Sequence, residues 1–317
     1  MNKYEFYNEI KEKLGDYLPP EIKEKGELKL IENVKNNDTV LHGITVTGRE
    51  GLMTPIVYLD NMYEHYQEGL PMTEVLQCIS HSFADAYKNR FDFDLSNFDY
   101  ENIKDYIVYR IVDMKSNRGR LSELKYSIAG CGLAKIYDIN LTDEMRIPIT
   151  NELVNKFGYE PQKIYEDAER NTPRIYPVDF YSLSELLRKE GMVMFDEIPI
   201  NDKEETLPMY ILTNRTKVYG AGCLFYPGVK ENIAELLNDD YYVLPSSVHE
   251  TLIVPCSTAV SLPVLELMVK DANASVVAPQ EILSDRVMKY DREAEKLLSV
   301  SEIRREIECE RGQLPWK

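Results

Sequence analysis

The chain has 317 residues, 44% of them hydrophobic, so it is long enough and apolar enough to bury one large core or two smaller ones. It carries 54 acidic and 37 basic residues, which gives a net charge of −17. Because this charge repels nucleic-acid phosphates and anionic lipids, we expect neither nucleic acid nor a membrane as a partner. The composition also excludes a disordered or collagen-like chain.

The cysteines and the apolar runs indicate a cytoplasmic protein. The five cysteines are widely scattered and include no C-x-x-C pair, so they predict neither a disulfide framework nor a zinc ribbon. No run approaches the roughly 18 consecutive apolar residues of a membrane-spanning helix. The stretch MNKYEFYNEIKEKLGDYL lacks the apolar centre of a secretory signal. We therefore expect a reducing, cytoplasmic location.

The first half of the chain is predicted to combine helices with short strands. Apolar residues at four-residue spacing predict a helix over Tyr4–Leu14. ELKLIENV and TVLHGITV, separated by the turn KNND, predict a β-hairpin, and PIVYL a further strand. Helical periodicity then covers residues 61–67 and 73–89. YIVYRIVDM fits a strand better than a helix, although its periodicity allows both, and AGCGLAKIYDI fits one more strand.

A boundary between two lobes is predicted near residue 173. IPITNELVNKFG reads as a strand running into a helix and EPQKIYEDAERN as a helix, after which NTPRIYPVDF carries two prolines and predicts a linker. The lobes would span residues 1–172 and 173–317. The second lobe is also predicted to combine helices with short strands, with helices at 184–189 and 229–237 and the strand LPMYILTN.

The last part of the chain predicts strands around YYVLPSSVHETLIVP, a helix at LPVLELMVKDAN, a hairpin in RVMKYDREAEKLLSV and a helical tail at EIRREIECERGQ. Strands and helices mingle without a regular βαβ rhythm. The predicted fold class is therefore α+β, with mixed or antiparallel sheets flanked by helices in two lobes.

The stretch PSSVHE holds the strongest catalytic candidates. A hydroxyl near an imidazole is the beginning of a nucleophile and base pair, so Ser247 and His249 are the candidate catalytic residues. If Val248 to Val254 is a strand, alternation places His249 and Glu250 on opposite faces. The G-x-S-x-G elbow of many serine hydrolases is absent. The pattern is more typical of a turn closed by hydroxyl-to-backbone hydrogen bonds.

Glycines after a predicted strand suggest a second candidate site. In YGAGCLFYPG, Gly220 and Gly222 precede a predicted helix, and with Ser246 they are the candidate ligand-binding residues. Their spacing differs from G-x-G-x-x-G, and no P-loop lysine follows. A strand with Ala221 and Cys223 directed into the core is the more economical interpretation.

Metal ligands are not predicted. The HE pair at 249–250 lacks the second histidine of H-E-x-x-H. The acidic stretch DFDLSNFDYENI resembles a calcium loop only at its start, because Asn97 replaces the required glycine and Ile103 the closing glutamate. We expect no cofactor. The basic run KSNRGR could meet a phosphate but is more typical of a solvated turn.

Four segments carry a family resemblance. RIVDMKSNRGRLSEL, ITNELVNKFGYEPQKIYEDAERNTPRIYP, YGAGCLFYPGV and YYVLPSSVHETLIVP, in this order, resemble an uncharacterised domain-of-unknown-function family from anaerobic gut bacteria, and LPSS-hydrophobic-HE is the most specific piece. The resemblance implies a cytoplasmic protein with one family-wide architecture. It implies no functional residue.

The sequence favours a non-enzymatic binding or regulatory module with an unknown protein or small-molecule partner. No nucleophile, base and orienting group occur together at the spacing that their chemistry requires. The alternative is a metal-independent hydrolase or transferase that uses Ser247 and His249.

Overall fold

The computed structural model describes residues 1–47, 55–88, 99–141, 146–189, 207–245, 247–258 and 260–310. Ser246 and most of the acidic stretch DFDLSNFDYENI lie outside the described residues. Contacts between Cα atoms divide the chain into two compact units. The first comprises residues 1–35 and 39–99, and the second residues 36–38 and 100–317.

The predicted linker is a helix in the structure. Pro173 lies inside the helix Pro161–Ile175, whose side chains Ile164 and Ala168 are buried. Thr172, one residue earlier, accepts a hydrogen bond from the Tyr109 backbone N at 3.0 Å. Proline is tolerated there because it stands in the last turn, and packing along the rest of the helix outweighs the lost hydrogen bond. The contacts divide the chain between residues 99 and 100 rather than near 173.

The first unit packs helices against an antiparallel sheet in the order β1, β2, β3. Its strands are β1 Glu27–Val34, β2 Val40–Thr47 and β3 Ile56–Tyr58. Its helices are α1 Lys3–Lys13, α2 Pro20–Lys23, α3 Asp60–Gln67 and α4 Met72–Lys88. The core joins apolar residues of α1 and α4 to the inner face of β2, including Phe6, Ile44 and Phe83. The hairpin predicted from ELKLIENV and TVLHGITV is confirmed.

The second unit contains an antiparallel sheet in which β6 pairs with β4 on one side and with β5 and β7 on the other. Its strands are β4 Ile107–Asp113, β5 Tyr126–Gly130, β6 Leu133–Asn140 and β7 Arg146–Pro148. Every residue of β4 is buried, which explains a periodicity that suits a helix as well as a strand. AGCGLAKIYDI is not one strand, because Cys131 and Gly132 turn the chain with positive φ angles.

A six-stranded antiparallel sheet completes the second unit, in the order β13, β12, β10, β11, β9, β8. Its strands are β8 Val178–Ser182, β9 Tyr210–Asn214, β10 Tyr241–Leu244, β11 Thr251–Pro255, β12 Met288–Asp291 and β13 Lys296–Leu298. The helices of this unit are α5 Tyr100–Ile103, α6 Arg118–Glu123, α7 Asn151–Phe157, α8 Pro161–Ile175, α9 Leu183–Lys189, α10 Val229–Leu237, α11 Leu262–Ser275 and α12 Val300–Glu310.

The predicted α+β class with antiparallel sheets is confirmed. Two further local predictions are wrong. Gly220–Phe225 is a 3₁₀ helix and not a strand. Residues 248–249 form a bend, and the strand begins only at Thr251. Among the described residues, no helix has the length and apolar character needed to cross a bilayer.

Helix α10 offers a direct test of the core. Ile233 is 4% exposed and Leu236, one turn later, is 70% exposed. Replacing Ile233 by Ala leaves a cavity, and we expect it to lower the free energy of unfolding by about 2–5 kcal/mol. Leu236→Ala on the same helix is the matched control and is expected to change it by no more than about 0.5 kcal/mol. Urea denaturation followed by circular dichroism measures both, and equal effects would contradict the packing of α10.

Candidate anion-binding site

Ser247 and His249 lie in the bend between β10 and β11. The Ser247 Oγ accepts a hydrogen bond from the His249 backbone N at 3.0 Å, and the Ser247 backbone N donates to the Glu250 carbonyl at 3.4 Å. Such bonds close a turn. In the described part of the chain, the Ser247 hydroxyl makes no hydrogen bond to the imidazole ring of His249.

The ring of His249 is held by Tyr219 instead. Its Nδ1 accepts a hydrogen bond from the Tyr219 backbone N at 3.2 Å, and the two rings stack with centroids 5.4 Å apart. An accepting Nδ1 in a neutral ring leaves the hydrogen on Nε2, which lies 3.9 Å from Glu281 Oε1. In this arrangement His249 has no free ring nitrogen to accept a proton from a hydroxyl. Tyr219 itself has a left-handed backbone, with a φ of 54°.

Gly220 and Gly222 lie in the buried 3₁₀ helix next to this bend. A Cβ on Gly220 would stand 2.2 Å from Thr213 Oγ1 and 2.5 Å from the His249 carbonyl O. The backbone N of Gly222 donates to Tyr219 O at 3.3 Å, and that of Ala221 to a carbonyl at 3.2 Å. The close approach of two chain segments therefore accounts for the glycine at 220, and these two backbone donors already have acceptors.

Cys223, in the same 3₁₀ helix, is fully buried. Burial raises the pKa of its thiol to about 12. The side chain is therefore a neutral thiol near pH 7 and packs as a small apolar group.

A cluster of arginines, one buried and two half-buried, surrounds Tyr219. Arg110 donates through Nε to Asp138 Oδ2 at 2.6 Å, and both side chains are almost completely buried. The guanidinium carbons of Arg110 and Arg146 lie 5.0 Å and 4.6 Å from the centre of the Tyr219 ring. Burial and the neighbouring Arg110 lower the pKa of Arg120 to about 10. The interior of a strongly acidic protein therefore contains a local concentration of positive charge.

One side of the Arg146 guanidinium carries two N–H groups that have no acceptor among the described residues. Its guanidinium lies 4.7 Å from the centre of the Tyr176 ring, as well as close to Tyr219. Its Nε and Nη2 atoms are buried, and neither has a hydrogen-bond partner among the described residues. These two N–H groups form the parallel pair that a carboxylate or phosphate accepts in bidentate fashion. The aromatic rings stabilise the charge, although they do not satisfy the donors.

Helix α6 begins beside this cluster and is fixed by Asp38. The Asp38 carboxylate accepts hydrogen bonds from the backbone N of Gly119 at 2.8 Å and of Arg120 at 2.9 Å. It thereby satisfies donors at the first turn of the helix. Arg118, Leu121 and Ser122 then share one face of α6, at positions i, i+3 and i+4.

That face of α6 lines an open cleft of about 510 Å³. The lining residues are Met114, Lys115, Arg118, Leu121, Ser122, Tyr126, Gly132 and Arg286. Three of these side chains are cationic, and none of the described lining residues is acidic. The volume falls within the range typical of small-molecule sites.

Arg286 is positioned by Asp113 at the back of the cleft. Its Nη2 donates to Asp113 Oδ2, and Asp113, whose side chain is only 3% exposed, also accepts from the Ser116 backbone N at 2.8 Å. Gly132 leaves room for the guanidinium, because a Cβ there would lie 2.6 Å from Arg286 Nη2. Asp113 is paired with Arg286, and Lys115 and Arg118 add two further positive charges to the lining of the cleft.

The sequence identified part of this cleft. The run KSNRGR supplies Lys115 and Arg118, whereas Arg286 comes from the segment that leads into β12 and has no motif around it. The run is not a solvated turn throughout, because its last three residues begin α6 and Arg120 is half-buried.

Comparison with known proteins identifies one family model. It is that of DUF5688, a family of unknown function, and it matches residues 3–292. No curated protein matches the chain, and no solved structure does.

The two glycines of the 3₁₀ helix differ in a way that stability measurements can detect. We expect Gly220→Ala to lower the free energy of unfolding by about 3 kcal/mol, because its Cβ overlaps Thr213 and His249. Gly222→Ala is the control, since its Cβ would meet only Tyr109 Cε2, at an ordinary 3.6 Å. Thermal unfolding compares the two, and a Gly220→Ala protein as stable as the control would contradict this packing.

The buried pair of Arg110 and Asp138 gives a second prediction. Asp138→Asn leaves the Arg110 charge uncompensated in the interior, and we expect a loss of about 3–5 kcal/mol. The double variant Arg110→Met with Asp138→Leu removes both charges and is expected to be closer to the wild type in stability. Urea denaturation of the two variants tests this, and a single variant as stable as the double one would refute it.

Proposed function

The chain belongs to this family of unknown function, and we propose that it is a binding module that holds a small phosphate-bearing ligand in the cleft between α6 and Arg286. The observation that carries the proposal is the charge of the cleft. Lys115, Arg118 and Arg286 face one space, with no acidic residue among the described lining residues, in a chain whose net charge is −17. A positive, partly enclosed surface concentrates anions against the field of the whole protein.

The fixed orientation of the Arg286 guanidinium favours a specific binding site over non-specific attraction of anions to a charged surface. The bond to buried Asp113 fixes the orientation of Arg286 before any ligand arrives. A fixed guanidinium loses little conformational entropy when it binds an oxyanion. Exposed Lys115 and Arg118 can then close on the remaining phosphate oxygens.

The apolar side of the cleft indicates what else the ligand contains. Tyr126 is 38% exposed, and its ring stands in the lining with Met114 and Leu121. An aromatic face beside three cations suits a planar ring attached to a phosphate. A nucleoside monophosphate has this chemistry and a size compatible with about 510 Å³.

Binding is favoured over catalysis. Ser122 is a hydroxyl in the lining, and its Oγ donates to the Gly119 carbonyl O at 2.5 Å, with no general base among the described lining residues. The hydrolase alternative with Ser247 and His249 requires the serine to leave the His249 backbone and the ring to release Tyr219. We also expect the protein to act in the cytoplasm, consistent with free thiols at Cys78, Cys131, Cys223 and Cys256.

Isothermal titration calorimetry with adenosine monophosphate tests the proposal. Adenosine and inorganic phosphate are the companion titrations, and they separate the contributions of the ring and the phosphate. We expect adenosine monophosphate to bind more tightly than either. Affinity is expected to fall as salt rises, because the attraction is electrostatic.

Arg118→Gln is the informative variant, because Arg118 is exposed and forms no ion pair with any residue that the structure describes. We expect it to weaken binding at least about tenfold through the loss of a charge-assisted hydrogen bond. Lys270→Gln removes one positive charge from an exposed position on α11 outside the cleft and serves as the matched control. No binding at millimolar ligand, or equal affinities for both variants, would overturn the proposal.

A further inference from the structure

The first unit contains a separate cavity of about 590 Å³. It is lined by Lys3, Tyr4, Tyr7, Leu30, Ile31, Glu32 and His42. These residues come from α1, β1 and β2. Its polar groups are gathered around His42, whereas the remaining wall is aromatic and aliphatic.

Asp60 is hydrogen-bonded to three of the residues that line this cavity. Its carboxylate accepts from Lys3 Nζ at 2.8 Å, from the Tyr7 hydroxyl at 3.0 Å and from the His42 backbone N at 2.7 Å. Burial opposes its ionisation, but these hydrogen bonds outweigh burial and hold the pKa of Asp60 below its ordinary value. Asp60 is therefore a carboxylate near pH 7 and can only accept hydrogen bonds.

The carboxylate determines which nitrogen of His42 carries the hydrogen. Asp60 Oδ1 lies 3.4 Å from His42 Nδ1, so a bond between them requires Nδ1 to be the donor. In the neutral ring, Nε2 is then left with a lone pair. His42 Nε2 lies 3.9 Å from Glu32 Oε1, the residue directly opposite it in the pairing of β1 and β2. Two acceptors are thus held together at the cavity.

A single group with several hydrogens satisfies both acceptors. An ammonium can donate one N–H to His42 Nε2 and another to the Glu32 carboxylate. The local charge suits a cation, because Lys3 is already paired with Asp60 and Glu32 contributes a further negative charge. The ring of Tyr4 in the wall attracts a cation through its face. Leu30 and Ile31 offer apolar surface to the body of the same ligand.

We propose that this cavity binds a small primary amine with an aromatic or aliphatic body, whose ammonium group bridges His42 Nε2 and Glu32. The site lies entirely in the first unit and is independent of the phosphate cleft. Each site can therefore fail its test without affecting the other.

Nuclear magnetic resonance of the full chain, labelled with ¹⁵N-histidine, tests the premise and the ligand together. The chain has four histidines, so His42→Gln assigns the His42 signals by difference. Without ligand we expect the His42 Nδ1 to carry a hydrogen that it donates to Asp60. Benzylamine is the probe, and benzyl alcohol, which has a similar body and no charge, is the control. Benzylamine is expected to move the His42 Nε2 signal in a saturable way, and benzyl alcohol is not.

Variants of exposed glutamates complete the test. Glu32 has a side chain that is 74% exposed, so Glu32→Gln is expected to leave the fold intact. We expect it to weaken benzylamine binding at least about tenfold. Glu21→Gln, at an exposed position of α2 outside the cavity lining, removes the same charge and is expected to leave binding unchanged. A doubly protonated His42 ring paired with Glu32, no response to benzylamine, or equal affinities of the two variants would each overturn the proposal.

Discussion

The end of β4 is organised by one buried carboxylate, Asp113. Its Oδ1 accepts from the Ser116 backbone, its Oδ2 from Arg286, and its main-chain carbonyl from Asn117. A carboxylate that is nearly excluded from water must be paired, so the strand end, the entry into α6 and the segment before β12 are fixed together. The position of the open cleft follows in part from this requirement, because the turn that leads into α6 and Arg286 are both held by the Asp113 side chain.

Elements whose identity is local were predictable from the sequence. The β1 and β2 hairpin follows from alternation around a turn, and α10 from its amphipathic period. Elements that depend on contacts between residues far apart in the chain were not predictable from the sequence. The helix through Pro173 depends on burial against β4, and the 3₁₀ helix at Gly220 on the approach of Thr213 and the bend at His249. Neither contact leaves a pattern in neighbouring residues.

The candidate site likewise combines residues that the sequence indicated with residues that it did not indicate. The basic run KSNRGR indicated Lys115 and Arg118. Arg286 precedes β12, and its position at the cleft depends on the strand order of the six-stranded sheet, which the sequence does not show. The prediction that strand alternation sets the direction of the His249 side chain was wrong, because His249 lies in the bend before β11. In that bend the Ser247 hydroxyl accepts a hydrogen bond from the His249 backbone N. The aromatic and cationic surroundings of Tyr219 combine residues from β4, β7 and the loop after β9. A single sequence cannot bring these together.

Gly132 carries a consequence for the evolution of this architecture. It turns the chain between β5 and β6, and its missing Cβ admits the guanidinium of Arg286. A Cβ there would crowd Arg286 Nη2, the atom that pairs with Asp113, and the φ of 78° also disfavours a larger residue. Substitutions at these three positions are therefore expected to be correlated during evolution. A homologue that has lost the glycine is expected to have lost the arginine and the aspartate as well, and with them the cleft.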